Sequence, residues 1–272
     1  MASPLQYKLL QGFLSKVGWC IHRIEIKGIE ILKETPRPYV IASNHHSTFD
    51  AFIIGMFTPE KIHFLGNKSA LWNNKFWGKI NDYFGTIPVT KRPGYNSDTI
   101  DKGLDLLCKK KGILGIFPEG SIFPKKKNFY GKVGIAKFAI ASKAPIIPVG
   151  ITGTNEWIKI NNKKTPWPKP GTKIALKVQD PMYYDYDLCE IENSELLEKI
   201  TLEIMEKIRK ASGFYGCPFH HLVEFKRRLK YTQNQNSMKL IDNINNNGNK
   251  MTIIGKKTKE TEDKVVEKYV HA

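Results

Sequence analysis

Two short segments of this chain hold side chains that could do chemistry. The first, Asn44-His45-His46-Ser47-Thr48-Phe49-Asp50, follows the apolar run Tyr39 to Ser43 and precedes a second apolar stretch, Phe52 to Phe57. On a continuous helix, positions five apart point about 140° away from each other, so His45 and Asp50 meet only if His45 sits on a turn and folds back over the first helical turn. The carboxylate then accepts a hydrogen bond from one imidazole nitrogen and fixes the tautomer, and the other nitrogen is left as a base for a hydroxyl proton. A plainer reading competes: Ser47-x-x-Asp50 has the form of a capping box with Ser47 as N-cap. It accounts for Ser47 and Asp50 but not for His45, and it leaves open that adjacent His46 is the ring that matters. The second segment, Phe117-Pro118-Glu119-Gly120-Ser121, also leaves an apolar run and enters a loop with a glycine. A carboxylate at the C-terminal end of a strand is where open α/β sheets place ligand groups.

Those segments need a scaffold, and the pattern around them supplies one. Alternation from His22 to Leu32, broken at Gly28, predicts a strand with a turn or bulge, and Tyr39 to Ser43 predicts a second strand. Helices then alternate with strands: helix Thr48–Phe57, strand Ile62–Leu65, helices around Ser69–Tyr83, strand Thr86–Thr90, helix Asp98–Lys110, strand Ile113–Phe117, helix Val133–Lys143 and strand Ile146–Ile151. Pro166, Pro168 and Pro170 around Trp167 mark a loop before the strand Lys173–Val178. Leu196, Leu197, Ile200, Ile204 and Ile208 define a long amphipathic helix capped by Asn193 or Ser194. The order predicts an α/β fold, a mostly parallel central sheet flanked by helices. Residues 1–21 form an amphipathic helix ahead of it, with Leu5, Leu9, Phe13 and Val17 on one side and Lys8, Gln11 and Ser15 on the other. That apolar face either docks on the protein's own core or lies in a bilayer interface with Trp19 at headgroup depth. Residues 22–230 form the main domain, and the Asn-rich, then Lys/Glu-rich stretch 231–272 reads as a flexible tail.

The chain has 272 residues, 43 Lys and Arg against 26 Asp and Glu, and a net charge of +17. Beyond Lys230 there are 7 Lys and 5 acids, so the excess belongs to the folded body, which holds 36 basic and 21 acidic residues. An acidic disordered protein and a small disulfide scaffold are excluded, and three partners suit the charge: nucleic acid, an anionic bilayer and a phosphorylated substrate. No run approaches the roughly 18 apolar residues of a spanning helix. Cys20, Cys108, Cys189 and Cys217 are widely spaced, as in a reduced cytosolic protein, and Cys217, His220 and His221 lack the second cluster a zinc site needs.

Taken together, the motifs resemble those of the glycerolipid acyltransferases of the lysophosphatidic acid acyltransferase (PlsC-like) type. Four ordered motifs carry the resemblance: Asn44 to Asp50, then Gly85-Thr86-Ile87-Pro88-Val89-Thr90-Lys91-Arg92, then Phe117 to Ser121, then Ile146-Ile147-Pro148-Val149-Gly150. They span about residues 22 to 180. The resemblance implies His45 as general base and Asp50 as its orienting partner, acting on a hydroxyl of a lysophospholipid or glycerol phosphate. That hydroxyl attacks the thioester of acyl-CoA or acyl-acyl carrier protein directly, with no cofactor, no metal and no covalent acyl-enzyme. It further implies substrate-binding positions at Asn44, Ser47, Lys91, Arg92, Glu119, Gly120 and Ser121, with Lys91 or Arg92 on the acceptor's phosphate. One departure stands out: the arginine that follows Glu-Gly-Thr in the family is Ile122 here, and Lys125, Lys126, Lys127 or Lys132 could compensate.

The expected activity is transfer of an acyl chain to lysophosphatidate, giving phosphatidate, on the cytoplasmic face of a membrane and without nucleic acid. Three alternatives stay in view: acylation of another acceptor (glycerol 3-phosphate, another lysophospholipid or an aminolipid), a non-catalytic basic protein that coats anionic membrane, and a metal-dependent hydrolase built on His45, His46 and Asp50.

Overall fold

The structure is a computed structural model and describes residues 4–90, 97–122, 131–155, 157–160 and 163–213. Lys91, Arg92, the lysines at 125–127, the Cys217-His220-His221 group and the tail from 231 lie outside the described residues. Among the described residues the elements run α1 (Pro4–Ile21), β1 (Arg23–Lys27), α2 (Ile29–Glu34), β2 (Tyr39–Ser43), α3 (Asp50–Phe57), β3 (Ile62–Asn67), α4 (Lys68–Leu71), α5 (Lys75–Phe84) and β4 (Ile87–Val89). They continue with α6 (Ser97–Leu104), extended by a π-turn over Asp105–Lys109, then β5 (Ile113–Ile116), α7 (Gly134–Ser142), β6 (Ile146–Thr152), β7 (Trp157–Ile160), β8 (Lys163–Pro168), β9 (Lys173–Val178) and α8 (Ser194–Ser212).

Seven strands form one sheet in the order β1-β9-β6-β2-β5-β3-β4. Every neighbouring pair is parallel except β6 with β9. The central strands β2 and β5 are buried at every position, as strands covered on both faces must be. The pleat divides them between two cores. Val40, Ala42, Leu114 and Ile116 pack with α7, α8 and the α6 region, while Tyr39, Ile41 and Ile113 pack with Leu32 of α2 and Ile53 and Ile54 of α3. The expected α/β sandwich is therefore present. Helix α8 carries Leu197, Ile200, Ile204 and Ile208 into the first core, and Asn193 is its cap, accepting from Leu196 N at 3.2 Å.

Four local expectations are corrected. The alternation from His22 does not run to Leu32: the strand stops at Lys27, Gly28 turns the chain at φ 75°, and α2 follows. A Cβ on Gly28 would lie 2.6 Å from Val178 O, so the turn is pressed against the end of β9. The proline-rich segment is no loop, because β7 and β8 pair as an antiparallel ribbon apart from the main sheet. Each strand of a two-stranded ribbon has a free edge, where a proline's missing N–H costs little. The helix expected from Thr48 begins at Asp50, with Phe49 as cap residue and no side-chain cap bond. The helix expected over Asp98–Lys110 gives way after Leu104 to the π-turn.

Helix α1 docks through Tyr7, Gln11 and Gly18, with Leu10, Leu14 and Ser15 half-buried beside them and Lys8 exposed. Gln11 Nε2 donates to Gly55 O at 2.7 Å and to Thr58 O, closing the open carbonyls at the end of α3. Tyr7 is buried edge-to-face against Phe84, and Gly18 lies against Met56. Leu5, Leu9 and Phe13 stay 68%, 67% and 64% exposed. Among the described residues no helix is long and apolar enough to cross a membrane.

Gly150, in the fourth motif, lets α8 approach β6: a Cβ there would collide with the backbone of Ala211 and Ser212. Backbone atoms cannot rotate aside, so Gly150→Ala is expected to lower unfolding free energy by about 1–3 kcal/mol, read as a reduced urea midpoint. Gly12→Ala in α1, where a Cβ meets nothing within 4 Å, should leave the midpoint unchanged or slightly raised.

Candidate active site

Parallel pairing brings the two chemical segments together. Ala42 of β2 is registered with Ile116 of β5, so both chains leave the sheet at the same edge, and His45 and Glu119 each lie three residues beyond that pair. There His45 N donates to Glu119 Oε1 at 3.4 Å. Neither segment is near the other in sequence, and a one-residue slip between β2 and β5 would separate them.

Asp50 organises the turn. It is wholly buried, and its Oδ2 lies 2.9 Å from His45 Nδ1, 2.6 Å from His46 N and 2.8 Å from Ser47 N. The two amides and the ring thus converge on one oxygen. An ionised carboxylate only accepts, so the imidazole proton resides on Nδ1 and Nε2 carries the lone pair of a base. Of the two histidines, His45 is the one that meets Asp50 through its ring. His46 is buried with its Nδ1 3.2 Å from Asn44 Nδ2, and burial lowers its pKa.

The capping-box reading is half present: Asp50 reaches back to Ser47 N, but Ser47 Oγ accepts from Phe49 N at 3.3 Å and starts no helix. Ser47 is fully buried and shapes the turn. Asn44 is likewise held by the protein's own backbone. Its amide donates to Ile151 O at 2.7 Å and accepts from Ile151 N at 2.8 Å, a paired contact that ties the end of β2 to β6 and leaves the side chain fully buried.

Ring stacking holds the His45 imidazole from the other side, a feature absent from the motif reading. The His45 ring lies on Phe117 with centroids 4.0 Å apart and planes 13° apart, and Phe117 lies on Phe64 at 5.3 Å and 11°. Gly115 makes room for this column, since a Cβ there would collide with the Phe64 ring. A glycine inside a buried strand was the available signal. With one ring face covered and Nδ1 anchored, the imidazole has a single orientation, and its side chain keeps 16% exposure.

Glu119 is the second carboxylate of the site. It is 8% exposed, its Oε2 is buried without a hydrogen-bond partner, and burial pushes its pKa up to about 7, with the Asp50 charge adding to the rise and the His45 amide opposing it. Gly120 turns at φ 68°, its N donating to Phe117 O at 2.9 Å, and Gly120 and Ser121 are exposed beside it. Lys91 and Arg92 fall outside the described residues, which end at Thr90 just beyond β4. No group of three or more His, Cys, Asp or Glu is arranged to hold a metal among the described residues.

Known proteins are similar to this chain. A family model described as Acyltransferase matches residues 23–152, from β1 through β6. The chain is 30% identical over 230 residues to a 1-acyl-sn-glycerol-3-phosphate acyltransferase of Saccharomyces cerevisiae, covering 82% of this chain and 71% of that protein. This chain belongs to the lysophosphatidic acid acyltransferase family. A member from Limnanthes alba is 26% identical over 60% of this chain and 55% of its own length. The fold of the family is also present: the crystal structure of the 1-acyl-sn-glycerophosphate (LPA) acyltransferase PlsC from Thermotoga maritima matches with a TM-score of 0.55 at 21% identity, over 77% of this chain and 80% of that one. As an acyltransferase, the chain has the segments that carry the family resemblance on or just after four strands with parallel neighbours, β2, β4, β5 and β6, with Ile122 the departure at the third.

The raised pKa of Glu119 makes stability depend on pH. Its folded-state value of about 7 exceeds the ordinary 4.5, so the folded state holds this proton more tightly than the unfolded chain does. The contribution is fully present below pH 4.5 and is lost as pH rises through 7, on the order of 3 kcal/mol. Glu119→Gln, which keeps an acceptor for His45 N, is expected to melt above wild type at pH 8, with the gap narrowing toward pH 5 in thermal scans.

Proposed function

We propose that this acyltransferase moves a fatty acyl chain from acyl-CoA or acyl-acyl carrier protein to the sn-2 hydroxyl of lysophosphatidate, producing phosphatidate for phospholipid synthesis. The observation that carries the reading is the His45 ring fixed between Asp50 Oδ2 and Phe117, a base with one nitrogen committed and the other available. His45 Nε2 takes the hydroxyl proton as the oxygen attacks the thioester carbonyl. The C–O bond forms, the tetrahedral oxyanion collapses, the C–S bond breaks, and the imidazolium returns its proton to the leaving thiolate. The amides of His46 and Ser47 are spent on Asp50 and that of His45 on Glu119, so other donors stabilise the oxyanion. Glu119, Gly120 and Ser121 border the acceptor, and Lys91 and Arg92 belong to the same substrate-binding set. Ile122 favours a second reading, in which the acceptor is glycerol 3-phosphate, another lysophospholipid or an aminolipid.

The proposed setting is the cytoplasmic face of a membrane, held peripherally. Support comes from α1, whose Leu5, Leu9 and Phe13 repeat every fourth residue and remain exposed while Gln11 docks inward. Trp19 is 53% exposed near the helix end, as suits a ring at headgroup depth. The net charge of +17 adds attraction to anionic lipid.

Purified protein offered a panel of lysolipids with both thioester donors should form phosphatidate, read by mass spectrometry. His45→Ala should lose at least about a hundredfold in kcat while the protein still folds; near-normal turnover would remove His45 from the chemistry. Replacing Leu9 and Phe13 together by Glu should weaken co-sedimentation with anionic vesicles by at least about tenfold, since each buried apolar side chain contributes roughly 1.5–3 kcal/mol. Unchanged sedimentation would place the lipid contact elsewhere.

A further inference from the structure

The acceptor in the proposed reaction carries a phosphate, and the turn that borders His45 holds a carboxylate and no cation of its own from Phe117 to Ile122. A lysine from outside that turn lies against it. A Cβ built on Gly120 would sit 2.6 Å from both Cε and Nζ of Lys132, so the lysine stem crosses the glycine face of the turn. The backbone at 132 is tied on both sides. Lys132 N donates to Pro118 O at 2.8 Å, and Gly131 is pressed onto α8, where a Cβ would lie 2.6 Å from Thr201 Cγ2 and 2.8 Å from Met205 Cγ. Position 132 is therefore held in register with the Pro118-Glu119-Gly120 turn, and the amine is delivered to the turn's exposed side.

The neighbouring lysines of α7 and its end are already neutralised. Lys137 pairs with Glu192 at 3.0 Å, and Lys143 pairs with Asp185. Among the described residues no carboxylate oxygen lies within 4 Å of Lys132 Nζ, and the side chain is exposed. We propose that Lys132 binds the acceptor's phosphate, supplying from the start of α7 the charge that Ile122 does not. The proposal rests on the phosphorylated-acceptor reading. A lysine is a point charge on a flexible stem where an arginine is a planar fork, so the site recognises a phosphate without demanding one bidentate geometry. The partly protonated state of Glu119 near neutral pH reduces repulsion of the incoming dianion.

Steady-state kinetics in neutral detergent micelles test this without the pull of an anionic bilayer. Lys132→Met is expected to raise KM for lysophosphatidate about 10- to 100-fold, the range of a lost charged hydrogen bond, with kcat changed less than about threefold and KM for acyl-CoA unchanged. Lys132→Arg should restore KM, and Lys137→Met, which removes a surface ion pair, should behave as wild type. Glycerol 3-phosphate and inorganic phosphate should compete with lysophosphatidate more strongly against wild type than against Lys132→Met; competition by the first alone would mean that the site reads the esterified headgroup and not free phosphate. Equal KM in wild type and Lys132→Met overturns the proposal, as does weaker vesicle binding with KM in micelles unchanged, which makes Lys132 a lipid-surface contact. Wild type that acylates only unphosphorylated acceptors overturns the acceptor reading and the proposal together, and it does so before any variant is made.

Discussion

One buried oxygen, Asp50 Oδ2, holds the candidate site together. It receives the amides of His46 and Ser47 and faces Nδ1 of His45. A carboxylate taken wholly out of water is costly unless donors surround it, and here two of the three are supplied by the turn that the carboxylate itself creates. The turn, the start of α3 and the orientation of the His45 imidazole are consequently a single structure. Removing the carboxylate would leave two buried amides and a ring without their common acceptor, so the effect on catalysis and the effect on the turn cannot be separated at this residue.

The sheet carries that unit to its counterpart. β2 and β5 are parallel neighbours in fixed register, and the turns they feed emerge side by side at the same edge. Asn44 clamps the exit of β2 to Ile151 of β6 through both ends of its amide, and the Phe64-Phe117-His45 column braces the ring from the β3 and β5 side. Four adjacent strands thus position one imidazole. Burial raises the proton affinity of Glu119 beside it. Each carboxylate of the site has one oxygen buried without a hydrogen-bond partner, but Asp50 gathers three donors on its other oxygen and Glu119 gathers one.

The excess of basic residues acquires a structural meaning through the same geometry. Several of the basic residues are paired with acids, as Lys27 and Lys173 are with Glu25. Lys132, whose backbone N donates to Pro118 O, stands in a different setting from Lys137, which is paired with Glu192. Helix α1 shows the same division of labour, burying a glutamine where α3 has open carbonyls and leaving leucines and a phenylalanine outside.

Local spacing was enough to read the order of strands and helices, the His45–Asp50 pair and the strand-end placement of Glu119, because each depends on residues within one or two turns of each other. Periodicity could not say which face of α1 would dock: it separates apolar from polar positions, whereas docking was decided by the hydrogen-bonding needs of α3. The β7–β8 ribbon hid behind prolines that a central strand would forbid and a free edge allows. The roles of Asn44 and Ser47 were legible only as polar residues in a motif, since the partner of Asn44 lies 107 positions away. The stack on His45 joins Phe64 within β3 to rings just beyond the ends of β2 and β5, with Gly115 making space for it. Sequence alone determined which residues could act and on which segments they stand; the parallel register and the close packing of glycines decided which of them meet, because those contacts join distant parts of the chain through shape and hydrogen bonding that no local pattern encodes.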